Sequence, residues 1–123
     1  MPCFLIVEDN PLMRKMLSQL LETRFPQANI LEAVDGKQAL EMAEHDAPDL
    51  ILMDIELPDA NGLDLTRRIK TRNPAVRILV VTMYDGPEYQ AAASKNGADQ
   101  LLSKRTHSSD DIVQAIQSLI QPG

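Results

Sequence analysis

Five times along this chain a short apolar run gives way to a segment whose apolar residues recur at helical spacing. Cys3 to Val7 is the first such run, and it ends in Glu8-Asp9. Asn10-Pro11 then reads as a helix start, with Asn10 as N-cap and Pro11 at the first helical position. Met13, Met16, Leu17, Leu20 and Leu21 follow on one helical stripe, closed by Phe25-Pro26. Ile30 to Val34 predicts a second strand, and Asp35-Gly36-Lys37-Gln38 a capping box opening a helix that Pro48 ends. Leu50 to Met53 is apolar on both parities, as a central parallel strand covered on two faces requires, and it runs into Asp54. Asn61-Gly62 opens a third helix stopped by Asn73-Pro74. Val76 to Val81 is a fourth strand ending at Thr82, and Gly86 to Asn96 a fourth helix stopped by Asn96-Gly97. Leu101-Leu102 mark a short fifth strand. Ser108-Ser109-Asp110-Asp111 caps a last helix with Ile112, Ile116, Leu119 and Ile120 on one face.

Strict alternation of this kind implies an α/β fold, a parallel sheet between two helical layers joined by right-handed crossovers. With 123 residues and no internal repeat or linker, the expectation is one domain over residues 1–123. The terminal Gln121-Pro122-Gly123 suits either a stand-alone domain or the N-terminal part of a longer protein. Aromatics are 3% of the chain and Trp is absent, so the core must be built from Leu, Ile, Val, Met and Ala. A net charge of −6 argues against nucleic-acid binding by this domain, because a duplex would repel it. The one cysteine, Cys3, is expected to be a small buried hydrophobe. No basic segment precedes Phe4 to Val7, and no apolar run approaches a membrane span, so a cytoplasmic protein without membrane contact is expected.

In open α/β sheets, sites form beyond the carboxyl ends of the strands. The residues there are Glu8 and Asp9 after the first strand, Asp54 after the third, Thr82 at the end of the fourth and Lys104 after the fifth. Three carboxylates together are costly unless a cation or a proton intervenes. A hard divalent ion resolves the cost, and Mg²⁺ is held by one or two carboxylates, waters and a phosphate. The remaining carboxylate can then act as a nucleophile. Lys104 and Thr82 suit phosphoryl oxygens whose charge spreads in the transition state.

Val7-Glu8-Asp9-Asn10, Leu52-Met53-Asp54-Ile55-Glu56-Leu57-Pro58, Gly62, Val80-Val81-Thr82, Gly97-Ala98-Asp99 and Ser103-Lys104 stand in order, nearly all of them at strand ends. In these motifs, and over essentially its whole length, the chain resembles the receiver domain of two-component response regulators. The resemblance implies a flavodoxin-like three-layer (βα)5 sandwich with strand order 2-1-3-4-5. It implies Asp54 as phosphoacceptor and Mg²⁺ held by Glu8, Asp9, Asp54 and the backbone carbonyl of Glu56. It further implies that Lys104 contacts the phosphoryl group and that Thr82 is the switch hydroxyl. The phosphoryl donor would be a histidine kinase or a His-containing phosphotransfer protein. The chain would catalyse its own modification without being an enzyme with a turnover substrate.

Two residues depart from the family pattern. Leu101 stands where Tyr or Phe is usual, so the coupling of an inward-turning ring to the threonine is absent. Arg105 follows the lysine where proline in a cis peptide is frequent; without proline the trans bond is expected. Tyr84 lies near the rim that water must cross, and with Glu56 is a candidate for tuning the lifetime of the phosphorylated state. The fourth helix carries Ala91-Ala92-Ala93 and few large anchors, so it and the fifth strand are candidate moving parts. With the fifth helix they form the candidate output or homodimer surface. Arg67, Arg68, Lys70 and Arg72 read as a solvated basic face, and His45 and His107 carry no assigned role.

Three other classes fit less well. An aspartyl-nucleophile phosphohydrolase of the haloacid dehalogenase type wants a second acid two residues on, which Glu56 matches only in part, and a cap domain. A flavin carrier of the same topology wants a Ser/Thr/Gly-rich loop where Glu8-Asp9-Asn10-Pro11 would repel the phosphate. A pseudo-receiver acting as an interaction module without phosphate is the alternative that Leu101 and Arg105 keep open.

Overall fold

Each apolar run forms a strand and each periodic segment a helix in the computed structural model, which describes residues 2–84 and 86–121. Of the terminal Gln121-Pro122-Gly123, the last two residues lie outside the described residues. The chain runs β1 (Cys3–Val7), α1 (Pro11–Arg24), β2 (Asn29–Ala33), α2 (Gly36–Asp46), β3 (Leu50–Met53) and α3 (Gly62–Arg72). It continues through β4 (Arg77–Thr82), α4 (Pro87–Lys95), β5 (Gln100–Ser103) and α5 (Ser109–Ile120). All strand pairs are parallel and the order is β2-β1-β3-β4-β5, the flavodoxin-like arrangement.

The alternation of strand side chains splits the core in two. Leu5, Val7, Ile51, Met53, Ile78, Val80 and Leu101 face a layer built from Ala39 of α2, Leu65 and Ile69 of α3 and Ala93 of α4. Phe4, Ile6, Leu50, Leu52, Leu79, Val81 and Leu102 face Leu17 and Leu21 of α1 and Ile112 and Ile116 of α5. Phe4 and Phe25 meet edge to face at 5.3 Å on that second side. Among the described residues no helix is long and apolar enough to cross a membrane.

Several local expectations shift. Val34 lies outside β2, because its N–H donates to the Gln38 side chain (3.0 Å) rather than to a neighbouring strand. The α2 start is therefore half a capping box: Asp35 accepts from the Gln38 N–H (2.8 Å), but Gln38 reaches Val34. Asp59, from the loop after β3, completes the cap by accepting from the N–H groups of Gly36 (2.7 Å) and Lys37 (3.1 Å). Those bonds hold its carboxyl below its ordinary range. On α1 the inward stripe is rotated, so that Ser18 is buried while Met16 is 50% exposed. Lys70 leaves the solvated basic face and pairs with Asp99 at 2.9 Å, only 15% exposed. Cys3 is half-buried rather than buried, and burial is the main cause raising its thiol pKa.

Of the described glycines, Gly62 has the least room for a side chain. Its N–H donates to the Ile55 carbonyl at 2.6 Å, and a Cβ built there would lie 1.9 Å from the Asp54 carbonyl oxygen. Backbone on both sides leaves no side chain to rotate away. Gly62→Ala is expected to cost about 3 kcal/mol, the upper part of the overpacking range. A lowered urea midpoint at unchanged slope checks it; an unchanged midpoint means that the loop shifts freely.

Candidate functional site

Four strands deliver their terminal residues to one rim of the sheet. Glu8, Asp9, Asp54, Glu56, Thr82, Tyr84 and Lys104 line a single pocket there, together with Met13 and Met83. β1 and β3 are neighbours in register, Val7 beside Met53, which brings Glu8-Asp9 next to Asp54. The Asp54 N–H donates to the Val7 carbonyl at 3.1 Å and locks that adjacency. β5 beside β4 places Lys104 against Thr82, whose carbonyl accepts the Lys104 N–H at 2.7 Å.

Glu8, Asp9 and Asp54 each offer an oxygen, and these oxygens lie within 4.8 Å of one another. Lys104 Nζ is 2.5 Å from Glu8 Oε1 and 3.7 Å from Asp54 Oδ2. The lysine is 9% exposed and Glu8 2%, so this ion pair is shielded from water. Glu8 also accepts a hydrogen bond from the Asn10 N–H at 3.3 Å. Asp54 pays for its neighbours in proton affinity: its pKa is pushed up to about 7. Burial is the largest cause and the Glu8 charge the next; Lys104 opposes them, a hydrogen bond with Glu8 raises the value further, and the Ile55 N–H lowers it. Three acids answered by one ammonium are a site short of positive charge.

The donor set fits a hard divalent cation: carboxylate oxygens close enough to share one ion, in a pocket with room for waters and a phosphate. Glu56 lines the same pocket, on a loop folded back by its bridge to Asn61. Its carboxylate accepts the Tyr84 hydroxyl hydrogen at 2.7 Å, which holds the Tyr84 pKa above its ordinary value. Tyr84 stacks on Tyr89 of α4 at 4.9 Å, and its N–H donates to Thr82 Oγ1 at 3.3 Å. Thr82 is fully buried.

Leu101 is the one sequence candidate that the pocket does not include. It is buried in the core beside Ala93, and its carbonyl accepts from the Gln90 side chain at 3.2 Å. After Lys104 the peptide to Arg105 is trans, as no described peptide bond is cis. The loop is closed instead by His107, whose N–H donates to the Ser103 carbonyl (3.0 Å) and whose Nδ1 lies 3.2 Å from the Ser103 N–H. Sequence reasoning passed over His107, Asp59 and Arg14. Arg14 is the most consequential of the three, since its guanidinium sits on the Glu8 and Asp9 carbonyls. Nothing in its spacing separates it from its exposed neighbour Lys15.

Residues 4–117 match the response regulator receiver domain family. The probable transcriptional regulatory protein TcrX of Mycobacterium tuberculosis is 32% identical over 117 residues, 95% of this chain and 49% of its own length. The transcriptional regulatory protein DegU of Brevibacillus brevis is 32% identical over 118 residues, 96% of this chain and 50% of its own length. This chain therefore spans about half the length of these two relatives. Among solved structures, a LuxR-family two-component response regulator from Aurantimonas superposes with a TM-score of 0.88 at 31% identity. That match covers 95% of this chain and 83% of the other. A matching fold, a rim of acids facing one lysine and relatives of this kind lead to one conclusion: the chain belongs to the response regulator receiver domain family of two-component systems.

Proposed function

We propose that this receiver takes a phosphoryl group onto Asp54 in a Mg²⁺-dependent reaction and relays the change to a downstream partner. The observation that carries the reading is the Asp54 carboxylate set between two further acids and a shielded lysine in one pocket. Glu8, Asp9, Asp54 and the Glu56 backbone carbonyl would hold the ion. When bound, Mg²⁺ neutralises the acids and the incoming phosphoryl oxygens.

An Asp54 oxygen attacks phosphorus; the bond from phosphorus to the donor nitrogen breaks, and its electron pair leaves with that nitrogen, which gains a proton. Lys104 moves from Glu8 toward the phosphoryl oxygens, and the Thr82 hydroxyl donates to one of them. Water later attacks phosphorus, releasing orthophosphate and the Asp54 carboxylate. The chain is thus regulatory, a switch that resets itself. Met83 on the pocket lining, with Leu12 (79% exposed) and Met16 on α1, offers apolar surface for a His-bearing kinase or phosphotransfer partner. The weakly anchored α4, in which Ala93 is the one fully buried residue, together with β5 and α5 serves as the output or homodimer surface. Amide exchange in α4 and β5 should rise or fall on phosphorylation; no change there removes that assignment.

Tyr84, tied to Glu56 and stacked on Tyr89, shields the approach of water to Asp54. Tyr84→Ala is expected to shorten the phosphorylated lifetime a few-fold, followed by the mass of the protein over time. An equal or longer lifetime removes the shield.

Incubation with acetyl phosphate tests the whole reading. Intact mass should rise by one phosphoryl group with Mg²⁺, and not with chelator or in Asp54→Asn. No gain in wild type would favour the phosphate-independent alternative.

A further inference from the structure

Consecutive residues of an extended strand point to opposite faces. Glu8 and Asp9 nevertheless both reach one pocket, so the backbone between them must bend where β1 ends. The Glu8 N–H still donates to the Ala33 carbonyl at 3.1 Å, but the carbonyls of Glu8 and Asp9 lie past the last residue of β1. One side chain takes both. Arg14 Nη1 donates to the Glu8 carbonyl at 2.9 Å and, more weakly, to the Asp9 carbonyl at 3.4 Å. Its Nε lies 3.3 Å from Glu32 Oε1, and the side chain is 20% exposed. Glu32 belongs to β2, paired in register with Ile6 of β1. Arg14 therefore connects the bend to the neighbouring strand from within α1.

We propose that Arg14 is a positioning residue for the cation site: by gripping the Glu8 and Asp9 carbonyls and bracing on Glu32, it fixes the bend that aims both carboxylates at one ion. This rests on the metal reading of the pocket. A planar fork of donors can serve two carbonyls and a carboxylate at once; a lysine ammonium on a flexible stem cannot hold the same three. Groups that orient the ligands of a metal typically change its affinity by about 10- to 100-fold when lost.

The sign of the effect separates positioning from simple charge. Arg14 is a cation close to a cation site, so on Coulomb grounds alone its removal should tighten Mg²⁺ binding. Positioning predicts the opposite. Calorimetric titration of Mg²⁺ into the metal-free protein is expected to show Arg14→Ala binding about tenfold more weakly and Arg14→Lys about threefold. Lys15→Ala, an exposed neighbour on the same helix, should match wild type. In the metal-free proteins the amide resonances of Glu8 and Asp9 should move in both Arg14 variants and stay in place in Lys15→Ala. Unchanged or tighter binding in both Arg14 variants overturns the inference while leaving the metal reading intact. Wild type that binds no Mg²⁺ sinks the metal reading first and this inference with it. Should Arg14→Ala fail to fold, Arg14→Lys decides by the same criterion.

Discussion

Asp54→Asn is expected to take up no phosphoryl group and yet, metal-free at pH 8, to resist urea better than wild type. The first half follows from chemistry, as an amide does not attack phosphorus. The second follows from linkage. The Asp54 carboxyl has a pKa of about 7 in the folded protein against an ordinary 3.8. Between those values the folded chain keeps a proton that the unfolded chain has released, so wild-type stability falls as pH rises from about 4 to about 7. Above pH 7 the whole cost stands, about 4 kcal/mol at face value and on the order of 3 kcal/mol once solvent screening of the partly exposed carboxyl is allowed for. Asparagine carries no charge and escapes it. The advantage should shrink to about a third of that near pH 5 and vanish below pH 4. Saturating Mg²⁺ should narrow the gap at pH 8 by stabilising wild type more than the variant. Equal urea midpoints at pH 8 would mean that Lys104 already balances the acids.

The strands and the rim were legible because each rests on a short-range rule. Two-sided apolar runs identified β1 and β3 to the residue, and the parallel architecture then sent Glu8, Asp9, Asp54, Thr82 and Lys104 to one edge. Periodicity gives the width of a helix face but not its phase, which docking sets; hence Met16 is exposed and Ser18 buried. Long-range polar contacts left no local trace. Asp59 caps a helix 23 residues earlier, and Lys70 finds Asp99 across the fold. Arg14 and Lys15 are adjacent cations in the sequence, and only the path of the backbone after β1 makes one of them a clamp.

Lys104→Ala is expected to slow phosphorylation by acetyl phosphate about 10²- to 10³-fold, the usual loss when one donor to developing negative charge is removed. The same substitution has a second effect that a merely catalytic lysine would not show. Lys104 is bonded to Glu8 at 2.5 Å, and the Glu8 side chain is 2% exposed. Removing the ammonium leaves a buried carboxylate whose remaining contacts, the Asn10 N–H at 3.3 Å and the Asp54 carboxyl, bring no positive charge. Breaking a buried pair in this way costs roughly 3 kcal/mol, so the metal-free variant should melt well below wild type. A divalent ion restores the missing positive charge. Mg²⁺ should therefore raise the melting temperature of Lys104→Ala more than that of wild type, and bind the variant more tightly, because it no longer competes with an ammonium for Glu8. Slower phosphorylation with an unchanged metal-free melting temperature would show that the lysine touches only the phosphoryl group. Slower phosphorylation with tighter Mg²⁺ binding would show that Lys104 holds the acids together until the ion arrives, and is then free to meet the phosphoryl oxygens.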